Sequence, residues 1–246
     1  MISKTALGTF LKSNPFPRGK TDGLFYREKM RAIHRISPKT IQDDDRILEV
    51  GGGRSGMASF LFSNAEIVTL DIDPLLAQYQ PVLPRARFVC GDARQLPFPD
   101  AHFTIVTLFD VLEHIVEDHL AVQEALRVTK PGGLILVTTP SSDWRYPYYS
   151  VMKRFCPPES ELMEEWGHVR RGYSAEDLKR LFGFGPERVA SFINPVTAFY
   201  HDVAFSRLRY RSRLLLYAAA ALPTAIAYGL PSSLMPGTEG AFAWRR

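Results

Sequence analysis

The chain has almost no cysteine: Cys90 and Cys156 are the two in 246 residues. Two distant thiols cannot make a disulfide framework and lack the spacing of a metal knuckle, so reduced thiols in a cytoplasmic setting are expected. No export-type segment opens the chain, because Lys4, Lys12, Arg18 and Lys20 interrupt every apolar run there. Internal repeats and low-complexity tracts are absent too, which excludes a solenoid. Charge is missing from one long stretch, Leu214 to Thr238. Pro223, Gly229, Pro231 and Pro236 punctuate that stretch, so its apolar drive concentrates in Leu214–Leu222.

What is present suits a globular protein. Hydrophobic residues make up 46%, enough for a sizeable core, and the length fits one α/β domain with an elaboration. The net charge of +4 is unevenly placed, with 11 Lys/Arg against 5 Asp/Glu from Arg170 onward. The front part is therefore near neutral and the tail basic, which suggests two different jobs.

Along the chain, a Pro/Gly-rich opening (Asn14, Pro15, Phe16, Pro17, Gly19) leads to a helical pattern over Leu24–Ile36, ended by Pro38. Apolar runs predict strands at Arg46–Val50, Ile67–Asp71, Arg87–Cys90, Phe103–Phe109 and Leu134–Thr138, with Cys90 on a core strand and a helix over Ile115–Thr129. Ser174 reads as the cap of a helix that stops at Gly183. Arg188–Ile193 and Gly240–Trp244 predict two closing strands around a helical insertion, Pro195 to Pro236. The fold class expected is α/β, Rossmann-like and doubly wound, with a seven-stranded, mostly parallel sheet and an antiparallel last strand. The division expected is one domain over 1–246: an N-terminal extension (1–40), a core (41–194), a helical cap (195–236) and a last strand (237–246).

The central feature is Ile47-Leu48-Glu49-Val50-Gly51-Gly52-Gly53-Arg54-Ser55-Gly56. A buried strand runs into a glycine turn where the backbone can approach a ligand closely, with a helix start behind it. Gly51, Gly53 and Gly56 satisfy G-x-G-x-x-G, which alone suits a nicotinamide or flavin dinucleotide equally well. Asp71, about twenty residues on, can accept from ribose hydroxyls, and dinucleotide enzymes share that feature. Asp92 ends the third strand, where a carboxylate can accept from an adenine amine. Glu49 puts an anion beside the loop, as a cationic ligand requires.

Glu49–Gly56, Leu70-Asp71-Ile72-Asp73, Gly91-Asp92-Ala93 with Leu96-Pro97-Phe98, Asp110-Val111-Leu112-Glu113-His114 and Lys130-Pro131-Gly132-Gly133 occur in order and in register. Together they resemble the class I S-adenosylmethionine-dependent methyltransferases, in particular the type 11 group that includes quinone-biosynthesis enzymes, over roughly residues 40–140. The resemblance implies S-adenosylmethionine as cofactor. It implies Gly51, Gly52 and Gly53 along the methionine part, with Glu49 organising the loop. It further implies Asp71 on the ribose, Ile72 against adenine, Asp92 and Ala93 at the adenine edge, and Phe109 and Asp110 closing the pocket. Gly52 departs from the pattern, since members often carry cysteine or another small residue there.

Methyl transfer to a hydroxyl or acidic carbon needs proton removal, and His114 and His168 are the candidates. His114 follows Glu113 at an expected helix start, with Asp110 one turn earlier to orient it. Tyr173, Tyr200 and His201 lie in the same substrate-side part of the chain. Asp110, Glu113, His114, Glu117, Asp118 and His119 suggest a metal at first sight, but helical spacing spreads them over different faces, so no metal is expected. Nucleic acid is disfavoured: Phe109-Asp110-Val111-Leu112 stands where an amino-methylating enzyme carries Asn/Asp-Pro-Pro-Tyr, and neither cysteine sits in a Pro-Cys pair. A small or amphiphilic acceptor, a quinone precursor or lipid-linked saccharide, is the expectation. Arg207, Arg209, Arg211 and Arg213 ahead of the uncharged stretch suggest peripheral membrane contact through 207–235. A nicotinamide-dependent oxidoreductase and a non-catalytic S-adenosylmethionine-binding scaffold are the competing readings.

Overall fold

The computed structural model describes residues 1–14, 22–79, 83–230 and 234–246. The elements in chain order are β1 (Ile2–Ser3), α1 (Leu7–Lys12), α2 (Asp22–Ile36), β2 (Thr40–Ile41), β3 (Arg46–Val50), α3 (Met57–Leu61), β4 (Glu66–Asp71), β5 (Ala86–Cys90) and β6 (Phe103–Phe109). They continue as α4 (Asp118–Val128), β7 (Thr129–Pro140), α5 (Glu159–Trp166), α6 (Ala175–Phe182), β8 (Arg188–Phe192), α7 (Pro195–Ala204), α8 (Tyr210–Gly229) and β9 (Glu239–Arg245). The proline-rich turn expected at Pro15–Gly19 lies outside the described residues, as does Pro231.

Seven strands form one sheet in the order β5-β4-β3-β6-β7-β9-β8. Strands β3 to β7 pair in parallel, and β9 runs antiparallel to both β7 and β8. The architecture is the Rossmann-like, doubly wound sheet that the strand–helix alternation implies.

Period-2 alternation sorts the core into two layers. Ile47, Ile67, Ile105 and Leu136 face α1, α2 and α3, where Phe10, Met30, Ile33, Met57 and Leu61 cover them. Leu48, Val68, Val106 and Val137 face the other way, onto Val122, Ala125, Leu178 and Phe182 of α4 and α6. Each such side chain contributes about 1.5–3 kcal/mol of burial, so both layers are needed to hold the strands flat between helices.

Several local expectations change. The helix expected over Ile115–Thr129 begins at Asp118; a 3₁₀ turn, Leu112–His114, precedes it and Ile115 is extended. Arg170 holds the intervening bend by donating to the Val116 carbonyl, so residues 115–117 turn instead of coiling. Cys90 is exposed because β5 is the edge strand, not a core one. Pro223 does not interrupt its helix: α8 runs through it from Tyr210 to Gly229. The ring leaves the Ala219 carbonyl without its helical donor, and Ala219 is exposed, so water can take that place. By contrast, Ser174 caps α6 as expected, in a reciprocal pair with Asp177, and Gly183 ends it in a left-handed turn.

Candidate active site

Four parallel strands end on the same side of the sheet, and each delivers one part of a cavity of about 490 Å³. That size is ordinary for a cofactor pocket. β3 supplies Val50 and Gly51, β4 supplies Asp71 and Ile72, β5 supplies Asp92 and Ala93, and β6 supplies Asp110 and Val111. His114 lines it as well. Glu49, Gly52, Gly53 and Phe109 are not among the lining residues; Gly52 and Gly53 continue the loop, and Glu49 and Phe109 belong to β3 and β6.

The glycine turn is left-handed at Gly51 (φ +66°) and Gly53 (φ +52°). A Cβ on Gly51 would sit 2.5 Å from Val111 Cγ2, so the loop and the end of β6 close on each other only because the side chain is missing. At Gly52, where the resembled family often has a side chain, a Cβ would come 2.3 Å from Thr69 Cγ2. The buried Glu49 accepts from the Ala58 amide at 3.0 Å and from the Thr69 hydroxyl at 3.4 Å, which caps α3 from below. Burial pushes its carboxyl up to about 7.

Asp71 accepts from the Gly53 amide at 3.0 Å and the Asp73 amide at 3.2 Å, which fixes its carboxylate at the cavity wall. Beside it, Ile72 is 69% exposed and offers an apolar surface at the cavity wall. Asp92 meets the Arg94 guanidinium at 2.7 Å, and Arg94 reaches Glu117 at the same distance. All these lining groups converge on the one cavity.

Asp110 adopts a left-handed backbone (φ +53°), unusual for a residue with a side chain. Its carboxylate accepts from Lys29 Nζ and from the Thr138 hydroxyl at 2.7 Å. Burial would raise this carboxyl, but the Lys29 ammonium and the Thr138 hydroxyl hold it below the ordinary range. Lys29 arrives from α2, and no motif pointed to it. The signal was present, however: Phe25, Ile33 and Ile36 are buried on α2, and a lysine four residues from Phe25 and Ile33 lies on the same face.

Lys29 also lines a second cavity, of about 370 Å³, with Phe25, Tyr26, Trp166, Phe205, His201 and Glu239. The Lys29–Asp110 ion pair therefore stands between the two cavities. Burial raises the Glu239 carboxyl to about 7, with Lys29 opposing and Asp110 adding to the shift. Burial pushes His201 down to about 4, so it is neutral near pH 7.

His114 and His168 come together, their rings 4.7 Å apart and nearly perpendicular. Burial and the neighbouring His114 push His168 down to about 4. Asp110 does not orient His114, as expected from spacing; its carboxylate is taken by Lys29, and His114 Nδ1 meets the Gly167 carbonyl at 3.1 Å. Tyr173 is committed to Asp118 and the Leu112 carbonyl, and Tyr200 to the Tyr217 carbonyl.

Residues 48–137 match the family described as a methyltransferase domain. A ubiquinone/menaquinone biosynthesis C-methyltransferase of Ectopseudomonas mendocina is 32% identical over 108 residues, covering 39% of this chain and 42% of that protein. A protein of Mycolicibacterium smegmatis named a probable S-adenosylmethionine-dependent methyltransferase is 35% identical over 113 residues, covering 45% and 42%. The chain thus spans about two fifths of the length of these curated relatives. An S-adenosylmethionine-dependent methyltransferase of Thermotoga maritima shares the fold with a TM-score of 0.59 at 16% identity, over 98% of this chain and 99% of that one. The stretch that builds the glycine loop, the three strand-end carboxylates and the 3₁₀ turn lies within the residues that match the methyltransferase-domain family.

Proposed function

We propose that this protein is an S-adenosylmethionine-dependent methyltransferase acting on a small or amphiphilic acceptor held in the aromatic cavity. The observation that carries this reading is the pair of cavities divided by Lys29 and Asp110, one edged by three strand-end carboxylates and the other by aromatic rings. The residues fit the cofactor: the side-chain-free approach at Gly51 leaves the backbone open to the methionine part, Asp71 suits two ribose hydroxyls, and the bare face of Ile72 suits adenine. Asp92 and the Ala93 amide suit the adenine edge. When bound, the sulfonium supplies an electrophilic methyl group, which leaves with no electrons as the acceptor's lone pair forms the new bond.

The chain's own part is alignment, dryness and proton removal. Phe25, Tyr26, Trp166 and Phe205 exclude water around the acceptor. Glu239 is the base we favour over His114 and His168, because it is the carboxylate that lines the aromatic cavity. Calorimetry with S-adenosylhomocysteine, with NADH as the competing ligand, tests the cofactor. Asp71→Ala and Asp92→Ala are each expected to weaken S-adenosylhomocysteine binding; NADH binding instead, or unchanged affinity in both variants, overturns the assignment. A radiolabelled methyl-transfer screen on polar and lipid extracts tests turnover, and labelling is expected to drop at least a hundredfold in Glu239→Gln. Cofactor binding with no labelled product from any extract would favour a binding-only scaffold.

An amphiphilic acceptor is favoured by one further observation. Among the described residues no helix is long and apolar enough to cross a membrane. Yet α8 turns Leu215, Leu222 and Ile226 outward, at 73%, 73% and 59% exposure, behind the exposed Arg207, Arg209 and Arg211. A helix with its solvent side apolar and its start basic suits an anionic bilayer surface. Flotation with anionic vesicles at low salt is expected to carry the protein up, and Leu215→Glu with Leu222→Glu to abolish this. No flotation of the parent protein refutes membrane contact.

A further inference from the structure

We infer that Glu113, His114 and His168 form a binding site for one divalent transition-metal ion of the zinc type, with an open coordination position toward the first cavity. Glu113 and His114 belong to the 3₁₀ turn Leu112–His114, directly behind β6, while His168 follows α5. One ligand-capable atom from each of the three lies within 4.8 Å of the other two. Three donor atoms gathered within that span can be shared by one ion.

Two of the three side chains hold buried polar atoms that find no hydrogen-bond partner among the described residues. Glu113 is fully buried; its Oε2 accepts from the Thr139 hydroxyl at 3.2 Å, and its Oε1 has no hydrogen bond. His168 Nδ1 is likewise buried and unpaired. Buried polar atoms are nearly always satisfied, so a carboxylate oxygen and an imidazole nitrogen orphaned at one place point to something that joins them.

The third donor is preset. A carbonyl can only accept, so the contact between His114 Nδ1 and the Gly167 oxygen places the proton on Nδ1 and leaves the Nε2 lone pair free. This outer hydrogen bond is the kind that orients a metal-ligating histidine. The backbone is tied at the same place: the Val169 amide donates to the Glu113 carbonyl at 3.0 Å, and the His168 amide to the Met163 carbonyl at 2.8 Å. Gly167, left-handed at φ +71°, turns the chain so that His168 folds back onto His114.

The donor set chooses the ion. Two imidazoles and one carboxylate suit zinc or its neighbours, whereas magnesium and calcium call for oxygen ligands throughout. Three protein ligands leave one position of a tetrahedron open, as in catalytic zinc sites. Since His114 also lines the first cavity, that position faces ligand space and not the core. The expectation of no metal rested on helical spacing among residues 110–119. Glu117 and Asp118 are taken up in ion pairs with Arg94 and Arg170, while His168 lies 49 residues beyond that stretch and was outside that comparison.

The test uses the tag-free, chelator-treated full chain and needs no activity. Titration with Co²⁺ is expected to raise visible d–d bands that saturate at one equivalent, and Zn²⁺ to displace them. His168→Ala is expected to weaken binding at least tenfold, and so is His114→Ala, whose exposed ring can be removed without disturbing the core. Circular dichroism confirms that both variants are folded. Cobalt spectra or zinc affinity equal in the parent and in folded His168→Ala and His114→Ala proteins overturn the site, as does the absence of any saturable binding. The site stands apart from methyl transfer: S-adenosylhomocysteine affinity is measured separately, so either reading can fail while the other holds.

Discussion

Glu28 offers a quantitative check on how α2 is seated. It lies one residue before Lys29, 7% exposed, and its Oε2 has no hydrogen-bond partner. Burial raises its carboxyl to about 8, with a Thr197 hydrogen bond and Arg31 opposing the rise. Below pH 4.5 both folded and unfolded chains hold the proton. Between 4.5 and 8 the unfolded chain releases it while the folded chain keeps it, so stability falls as pH rises. Above 8 both are ionised and the loss is complete. Each pH unit in that window removes about 1.4 kcal/mol, so moving from pH 5 to pH 7.5 removes about 3 kcal/mol through this group. Glu28→Gln keeps the shape of the protonated acid and has no proton to lose. Its melting-temperature advantage over the parent is expected to grow by about 6–12 °C between pH 5 and pH 7.5, taking 2–4 °C per kcal/mol. Glu49 and Asp202, which are not among the groups acting on Glu28, titrate in both proteins and cancel in the difference. Thermal melts followed by circular dichroism at half-unit pH steps give the curve. A difference that stays flat across pH 5–7.5 refutes the buried, protonated state.

Gly51→Ala places a Cβ in a left-handed position, at about 1–2 kcal/mol, and drives it against Val111; calorimetry is expected to show S-adenosylhomocysteine affinity at least tenfold lower. Adding Val111→Ala is expected to recover part of the loss, because it removes the clash but not the backbone strain; unchanged affinity in the single variant sinks the close-approach argument. Lys29→Met leaves Asp110 without its cation and is expected to destabilise folding by about 2–3 kcal/mol, below the range for fully buried pairs because both side chains keep some exposure. Asp110→Asn in the same protein is expected to restore most of that in urea melts; a double variant no more stable than the single one contradicts the pairing. Arg94→Ala frees the Asp92 oxygens that Arg94 now occupies, and since exposed ion pairs are weak, S-adenosylhomocysteine is expected to bind modestly more tightly. Weaker binding would mean that Arg94 serves the ligand and does not compete with it.

What was legible in the sequence follows from how local each cause is. β3 and β6 are found where expected, and β4 and β5 begin one residue early, because a short run of apolar and β-branched residues marks a strand whether it lies inside the sheet or, like β5, at its edge. Asp71, Asp92 and Asp110 were legible for the same reason: each sits at or just past the end of such a strand, so a correct strand end places the carboxylate. Lys29, Glu239 and His168 have no such anchor. They come from α2, from β9 and from the link after α5, elements that the sequence places far from the glycine loop and that only the tertiary fold brings to it. Pairing across 81 residues, as between Lys29 and Asp110, leaves no trace in spacing. It does leave a trace in composition. A lysine on the apolar face of a helix must find an anion or lose its charge, since burying it unpaired is prohibitive. Lys29 among Phe25, Ile33 and Ile36 therefore announced a buried acid somewhere in the fold, and only the topology could say that the acid is Asp110. The same logic applies to Glu113: a fully buried carboxylate with an unpaired oxygen requires a partner, and the two histidines beside it are the groups with which it could share one.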